Sequence, residues 1–350
     1  MPPCGLASSA TPPVNQATGS QVNRLTGMRA VITGGQGFLG QRLARAVLER
    51  GLVGPAGERE PVDELVLVDV VAGSSADGRV RCVQLDLSDR ESVGAILDGD
   101  DDVSVFHLAS MVSAESEVAW SRAVAINVGG LVGLVEAARD RSGSTRLVFA
   151  SSVAVFGGQV ISDPVGVLTK QMPQSTYGMT KAMGEMLVND ATRQGFIDGR
   201  SARLPTVVVR PGRPNAAASS FFSGMFREPL NGQRCNVPVS QDVGVVMIGP
   251  ATATDALMAL HDVPTGTLGH DRAVPLPGLS VTVAEMIEAL RHVGGEEAVS
   301  LLDFETDEVI ESVVSGWPTQ WDDSRGRDLG LPFDSSLIEI VEEHLIAIGT

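Results

Sequence analysis

The sequence is poor in the side chains that many active sites draw on. Among 350 residues there is one tyrosine, Tyr177, and there are two lysines, Lys170 and Lys181; every other basic residue is arginine. Chemistry that needs a phenol or an amine therefore falls on very few positions. Three cysteines, Cys4, Cys82 and Cys235, lack CxxC spacing. They make neither a disulfide framework nor a zinc ligand set, and they suit a reducing, cytoplasmic setting, which is the expected localisation. The five histidines (His107, His261, His270, His292 and His344) are scattered without ligand spacing, so no metal is expected. Basic charge is scarce too: 26 basic against 43 acidic residues leave a formal net charge of −17. Such a field repels phosphate backbones, and no nucleic-acid partner is expected. No stretch approaches about 18 uninterrupted apolar residues, so neither a spanning helix nor a membrane partner is expected.

Residues 1–27 mix Pro, Ser, Thr, Gly, Asn and Gln without an apolar run. They read as a disordered leader and lack the pattern of a signal peptide. Met28 stands directly before the first strand and is expected to be the true start. From there, short apolar runs alternate with helical patterns. Strands are expected at 29–33, 65–68, 80–85, 103–108, 146–149 and 206–210, and helices at 37–50, 115–141 and 175–194. Continuous apolar strands separated by helices indicate a parallel sheet covered on both faces. The expected fold is α/β: a Rossmann-type doubly wound parallel sheet over 28–212, then a smaller mixed α/β substrate lobe over 213–350. Segment 243–262 is a candidate return to the sheet. In the lobe, Thr282 and Glu285 have capping-box spacing ahead of a helix at 281–293, and a last helix is expected at 335–348.

Between the first strand and first helix runs Thr33-Gly-Gly-Gln-Gly-Phe-Leu-Gly40, with Gly34, Gly37 and Gly40 in G-x-x-G-x-x-G spacing. Glycines there allow a tight turn, and the amides at the helix start, around Phe38 and Leu39, face a pyrophosphate. Asp69 ends the second strand, where a carboxylate accepts from both ribose hydroxyls and repels a 2′-phosphate; the cofactor is therefore expected to be NAD rather than NADP. Asp86 and Leu87 follow the third strand in similar fashion, within reach of the adenine.

Tyr177-Gly-Met-Thr-Lys181 puts a phenol and an amine four residues apart on one helix face. A nearby ammonium favours a phenolate, giving a base that takes the proton of an alcohol as hydride leaves its carbon. On this reading Tyr177 titrates well below free phenol, and Lys181→Met moves it upward. Ser151 and Ser152 follow the fifth strand, at the edge that faces the ligand crevice, where a hydroxyl can hold the substrate oxygen.

Together these residues resemble the extended short-chain dehydrogenase/reductase family, the sugar-nucleotide epimerase/dehydratase group. The resemblance rests on Thr33 to Gly40, Asp69, Asp86-Leu87, His107-Leu-Ala-Ser110, Asn127, Ser152, Tyr177 and Lys181. It departs mildly at Val155-Phe156-Gly157, where the family carries V-Y-G, and counting back from Gly157 makes Ser152 the match to the family's serine. It implies that Ser152, Tyr177 and Lys181 are catalytic, and that Lys181 also holds the nicotinamide ribose. Leu108 and Ala109 would line the cofactor, Asn127 would support the network, and the backbone near Pro211 would approach the nicotinamide. A homodimer paired through helices 115–141 and 175–194 is also implied.

Segments 203–206, 209–219 and 315–330 are similar to a subgroup that oxidises a four-carbon sugar acid at its 2-hydroxyl with NAD. A carboxylate substrate wants cations and donors, and Arg213, Asn215, Ser219 and Arg227 are the candidates, alongside Ser152. Against this, Val245-Val-Met-Ile-Gly-Pro-Ala251 is apolar where the subgroup is polar, leaving a less polar substrate open. Two other readings stay open: an epimerase with no net turnover of cofactor, and a non-catalytic NAD-responsive binding protein.

Overall fold

The computed structural model describes residues 28–158, 164–212 and 218–348. The leader, Arg213 and Asn215 lie outside them. Seven strands build one sheet, all parallel: β1 (Met28–Thr33), β2 (Val62–Asp69), β3 (Val80–Gln84), β4 (Val103–His107), β5 (Thr145–Ser152), β6 (Asp198–Leu204) and β9 (Ala273–Pro275). Their spatial order is β9-β6-β5-β4-β1-β2-β3. Strand alternation sends Ala30 and Ile32 to one face and Val31 to the other, and all three are fully buried. The first face packs on α1 (Phe38–Arg50) through Leu43 and Val47, and on α8 (Pro250–Asp262) through Leu257 and Leu260. The second packs on α2 (Arg90–Ala95), α5 (Gly130–Arg139) and α6 (Thr176–Arg193) through Val93, Leu131, Leu134 and Val188.

Several boundaries differ from the sequence expectation. The sixth strand of the sheet is 198–204, not 206–210. Asp-Gly-Arg-Ser-Ala-Arg-Leu does not look like a core strand, yet Arg200 is fully buried. Asp198 accepts from it at 2.8 Å, and Glu185 accepts from Arg203 at 2.9 and 2.8 Å. Paired guanidiniums can occupy a core that isolated ones cannot. Thr206–Val207 forms β7, which pairs parallel with β8 (Gly244–Ile248) in a second, three-stranded sheet closed by antiparallel β10 (Leu279–Thr282). The return of 243–262 to the main sheet is thus made by helix α8, while the seventh strand comes later, at 273–275. The polar stretch after α1 is a short hairpin, Leu52–Val53 against Arg59–Glu60.

The helix expected at 115–141 is broken. α3 (Ser113–Val118) ends at Ala119, whose φ of −124° and ψ of 58° leave the helical region. The second piece starts as α4 (Trp120–Val124) and runs through a π turn at Ala125–Gly129 into α5. By length and hydropathy alone, Trp120–Arg139 is long and apolar enough to cross a membrane. A search for uninterrupted apolar runs misses it because Arg122 and Asn127 interrupt the run. In the fold, its Leu131, Leu134 and Val135 pack into the core beneath the sheet.

The lobe has its own core, in which Phe222, Met225 and Phe226 of α7 (Ser220–Arg227) meet Met286 and Leu290 of α9 (Val283–Val299) and Ile340 and Val341 of α10 (Leu337–Ile348). The capping box at Thr282 and Glu285 is formed as expected. α9 runs further than the expected 281–293, through a kink at Gly295 with φ 70°.

Helix α6 lies unusually close to β5. A Cβ at Gly184 would come within 2.6 Å of Cε1 of the Phe149 ring, which is itself buried. Gly184→Ala is expected to lower stability by about 1–3 kcal/mol through overpacking. Gly94→Ala, where a Cβ would meet nothing within 4 Å, is the control and should be neutral or mildly stabilising. Paired thermal melts check this, and equal melting temperatures would contradict the close-approach reading.

Candidate active site

The C-terminal edge of the parallel sheet gathers the candidate residues. Gly34 has φ +71°, and a Cβ there would lie 2.8 Å from the Ala109 amide nitrogen. Only a glycine lets this turn pass beneath the loop that follows β4. Gly37 precedes α1 and Gly40 is buried in its first turn. The Phe38 and Leu39 amides are in that same turn, where helix geometry provides no internal acceptor. At the end of β2, Asp69 accepts from the Gln36 and Val71 amides at 3.0 and 3.1 Å, which fixes its carboxylate beside the glycine turn. Asp86 accepts from Ser88, backbone and hydroxyl, at 2.9 and 2.8 Å, and these bonds hold it below the usual carboxylate range. The Leu87 side chain turns away into the core. Leu108 and Ala109 are tied to Thr33, the first by its carbonyl and the second by its hydroxyl. A bare glycine turn, a helix start and a fixed carboxylate suit a dinucleotide with free ribose hydroxyls.

Tyr177 and Lys181 stand one turn apart at the start of α6, whose Ser175 cap accepts from the Gly178 amide at 3.0 Å. The Lys181 Nζ donates to the Ala150 carbonyl at 2.7 Å and lies 4.9 Å from the Phe149 ring centroid and 5.4 Å from that of Tyr177. Burial pushes this amine down to about 7. His107 is completely buried. Its Nδ1 meets Thr33 Oγ1 at 2.7 Å, its ring stacks on Phe149, and burial together with the charge of Lys181 takes it down to about 3. It is therefore neutral at any working pH.

The two serines are separated by the pleat. Ser151 donates inward to Glu185 at 2.5 Å, whereas Ser152 accepts from the Ala154 amide at 3.1 Å and its hydroxyl acts on the Tyr177 phenol to favour the ionised form. Asn127, in the π turn, accepts from the Met111 amide at 2.8 Å and donates to Thr180 Oγ1 at 3.0 Å. It thereby joins the loop after β4 to α6. Ser219 accepts from Arg210 at 3.4 Å. Arg227 is buried behind it, with two nitrogens on Glu228 and the third on the Arg210 carbonyl. Pro211 is exposed at the rim.

Two findings revise the sequence reading. Tyr177 is raised, not lowered, from its ordinary value: burial dominates, opposed by the Ser152 hydroxyl and the Arg210 charge. Lys181, brought down to about 7 by burial, has already lost its charge in the range where a phenol ionises, so it does not act as the expected depressor. The apolar stretch Val245 to Ile248 is also no guide to the substrate. All four side chains are at most 1% exposed, inside hydrophobic cores, and offer a ligand no surface. Arg210 carries no motif of its own and ends the strand expected at 206–210; the strand stops at Val207, and the charge of Arg210 is felt at Tyr177.

The family model of the NAD dependent epimerase/dehydratase family matches residues 30–254. The chain belongs to this family. It is an NAD-dependent oxidoreductase. A D-erythronate dehydrogenase of Cupriavidus necator is 42% identical over 92% of this chain and 99% of its own. One of Haemophilus influenzae is 38% identical over 91% and 99%. Among solved structures, a nucleoside-diphosphate-sugar epimerase from Agrobacterium tumefaciens matches with a TM-score of 0.85 at 35% identity, covering 95% of this chain and 98% of that one.

With one tyrosine in the chain, ring-carbon labelling gives a single resonance. In the cofactor-free protein it is expected to titrate above the free-phenol value of about 10, and further up in Ser152→Ala. A midpoint below free phenol in that state would contradict the burial argument.

Proposed function

We propose that the chain oxidises the secondary alcohol of a small sugar acid, a D-erythronate-like 2-hydroxy acid, to the 2-oxo acid. The observation that carries this reading is the meeting of Ser152, Tyr177 and Lys181 at the sheet edge beside the glycine turn. The two D-erythronate dehydrogenases above support the substrate class. Bound NAD supplies the hydride acceptor and a positive pyridinium charge. Tyr177 takes the hydroxyl proton as hydride leaves the same carbon. Ser152 holds the oxygen while its charge develops, and it favours the phenolate by hydrogen bonding. Lys181, buried and titrating at about 7, holds the ribose, and the proton taken by Tyr177 goes to solvent once the oxo acid has left. Gly34, Gly37, Phe38, Leu39 and Gly40 receive the pyrophosphate, Asp69 the ribose, and Asp86 the adenine edge.

With NAD and D-erythronate, formation of reduced nicotinamide is expected, and Tyr177→Phe should lose about 10²–10⁴-fold in kcat. No net reduction with any sugar acid, together with tightly held cofactor, would instead favour the epimerase reading.

We also propose a homodimer working in the cytoplasm. α3 and α4 both touch α6, and across them Val118 is 90% exposed, Trp120 56% and Met186 64%. Such an apolar face on three adjoining helices fits a self-complementary interface. Light scattering should give twice the 36.6 kDa chain mass, reverting toward one mass in Trp120→Glu/Met186→Glu. A monomer in the unaltered protein would overturn the dimer.

A further inference from the structure

We propose that Arg210 is the group that recognises the substrate carboxylate. The inference rests on the sugar-acid reading and supplies its specificity device.

Three observations converge on this residue. The first is position. β7 ends at Val207, and the chain then leaves the small sheet toward the catalytic edge. The Arg210 backbone is clamped there on both sides: its amide donates to Ser223 Oγ at 3.1 Å, and its carbonyl accepts from Arg227 at 2.7 Å. Both partners belong to α7, so the arginine has a fixed root. Its side chain is half-buried, and its guanidinium lies close enough to the Tyr177 oxygen for their charges to interact.

The second observation is charge. Arg227 is neutralised by Glu228 at 2.6 Å. Among the described residues no carboxylate lies within ion-pair distance of Arg210, and its side-chain partner there is the Ser219 hydroxyl at 3.4 Å. Partial burial and the neighbouring Arg227 both disfavour the positive charge. A guanidinium held in this way gains most from an incoming anion, because it has already lost part of its hydration.

The third is the geometry of the substrate class. In a 2-hydroxy acid the carboxylate is bonded to the carbon that loses hydride. When the hydroxyl is on Tyr177 and Ser152, the carboxylate must therefore fall within a few bond lengths of the phenol. A cation whose charge is felt at Tyr177 meets that requirement. Arg227 does not, since Glu228 and the Arg210 carbonyl already occupy its three nitrogens. The planar fork of Arg210 suits two carboxylate oxygens at once.

A probe that cannot be oxidised separates this proposal from the reaction. 2-Hydroxy-2-methylpropanoate has the hydroxyl and carboxylate but no hydrogen on the carbinol carbon; its amide has the same shape without the charge. Binding of each to the NAD complex is read from the single Tyr177 ring resonance. The acid should bind the unaltered protein at least about tenfold more tightly than the amide. Arg210→Met should abolish that preference while leaving amide binding and NAD affinity unchanged. Arg210→Lys, which keeps the charge but not the fork, should retain part of it and serves if the methionine variant does not fold. Equal binding of acid and amide by the unaltered protein, or an undiminished preference in either variant, overturns the proposal. A preference for the acid that depends on Arg210, with no turnover of any sugar acid, would uphold this anion site and sink the dehydrogenase reading instead.

Discussion

The site depends on one buried carboxylate. Glu185 is 2% exposed, two turns along α6 from Tyr177. It accepts from Ser151 on β5, from both Nε and Nη2 of Arg203 on β6, and from Gln171. Helix, two strands and the preceding loop are thus fixed to one group. Breaking a buried pair by deleting one partner typically costs about 3–5 kcal/mol, because a charge is left uncompensated. The consequence here is geometric as well. Ser152 adjoins Ser151, so the same carboxylate sets the distance between the serine hydroxyl and the phenol. The near approach of Gly184 to Phe149 works in the same direction, pressing α6 onto the strand whose Ala150 carbonyl receives Lys181.

Around that frame the electrostatics are arranged by burial more than by pairing. His107 is kept neutral, Lys181 is brought near neutrality, and Tyr177 is held above its ordinary value. Each group is more easily uncharged than in water, as low dielectric demands. The Ser152 hydroxyl and the charge of Arg210 oppose that tendency at the phenol. The field there is consequently sensitive to whatever neutralises Arg210, which couples anion recognition to the base.

Much of the machinery was legible in the sequence because it is local. The glycine turn, the Tyr177–Lys181 spacing, the Ser175-led helix and the Thr282 capping box each lie within a few residues, and backbone geometry turns such spacing directly into a shared face. Asp69 was legible because a strand end is easily located. The strand 198–204 was hidden, since Arg200 and Arg203 look like surface until their distant partners are known. The break at Ala119 was hidden because nothing in its neighbours forbids a helix. Arg210 was hidden because its role depends on how far β7 continues.

The sequence by itself determined the chemistry on offer: one phenol, one amine in register with it, a dinucleotide turn, and a fold that brings strand ends together. Short-range backbone periodicity suffices for that. Only the tertiary structure decided the states of these groups and their company. It separated Ser151 from Ser152, moved Tyr177 upward in pKa, returned the apolar stretch at 245–248 to the core, and gave Arg210 no ion-pair carboxylate among the described residues. Burial and pairing are set by residues far apart in the chain, so no local pattern could have carried them.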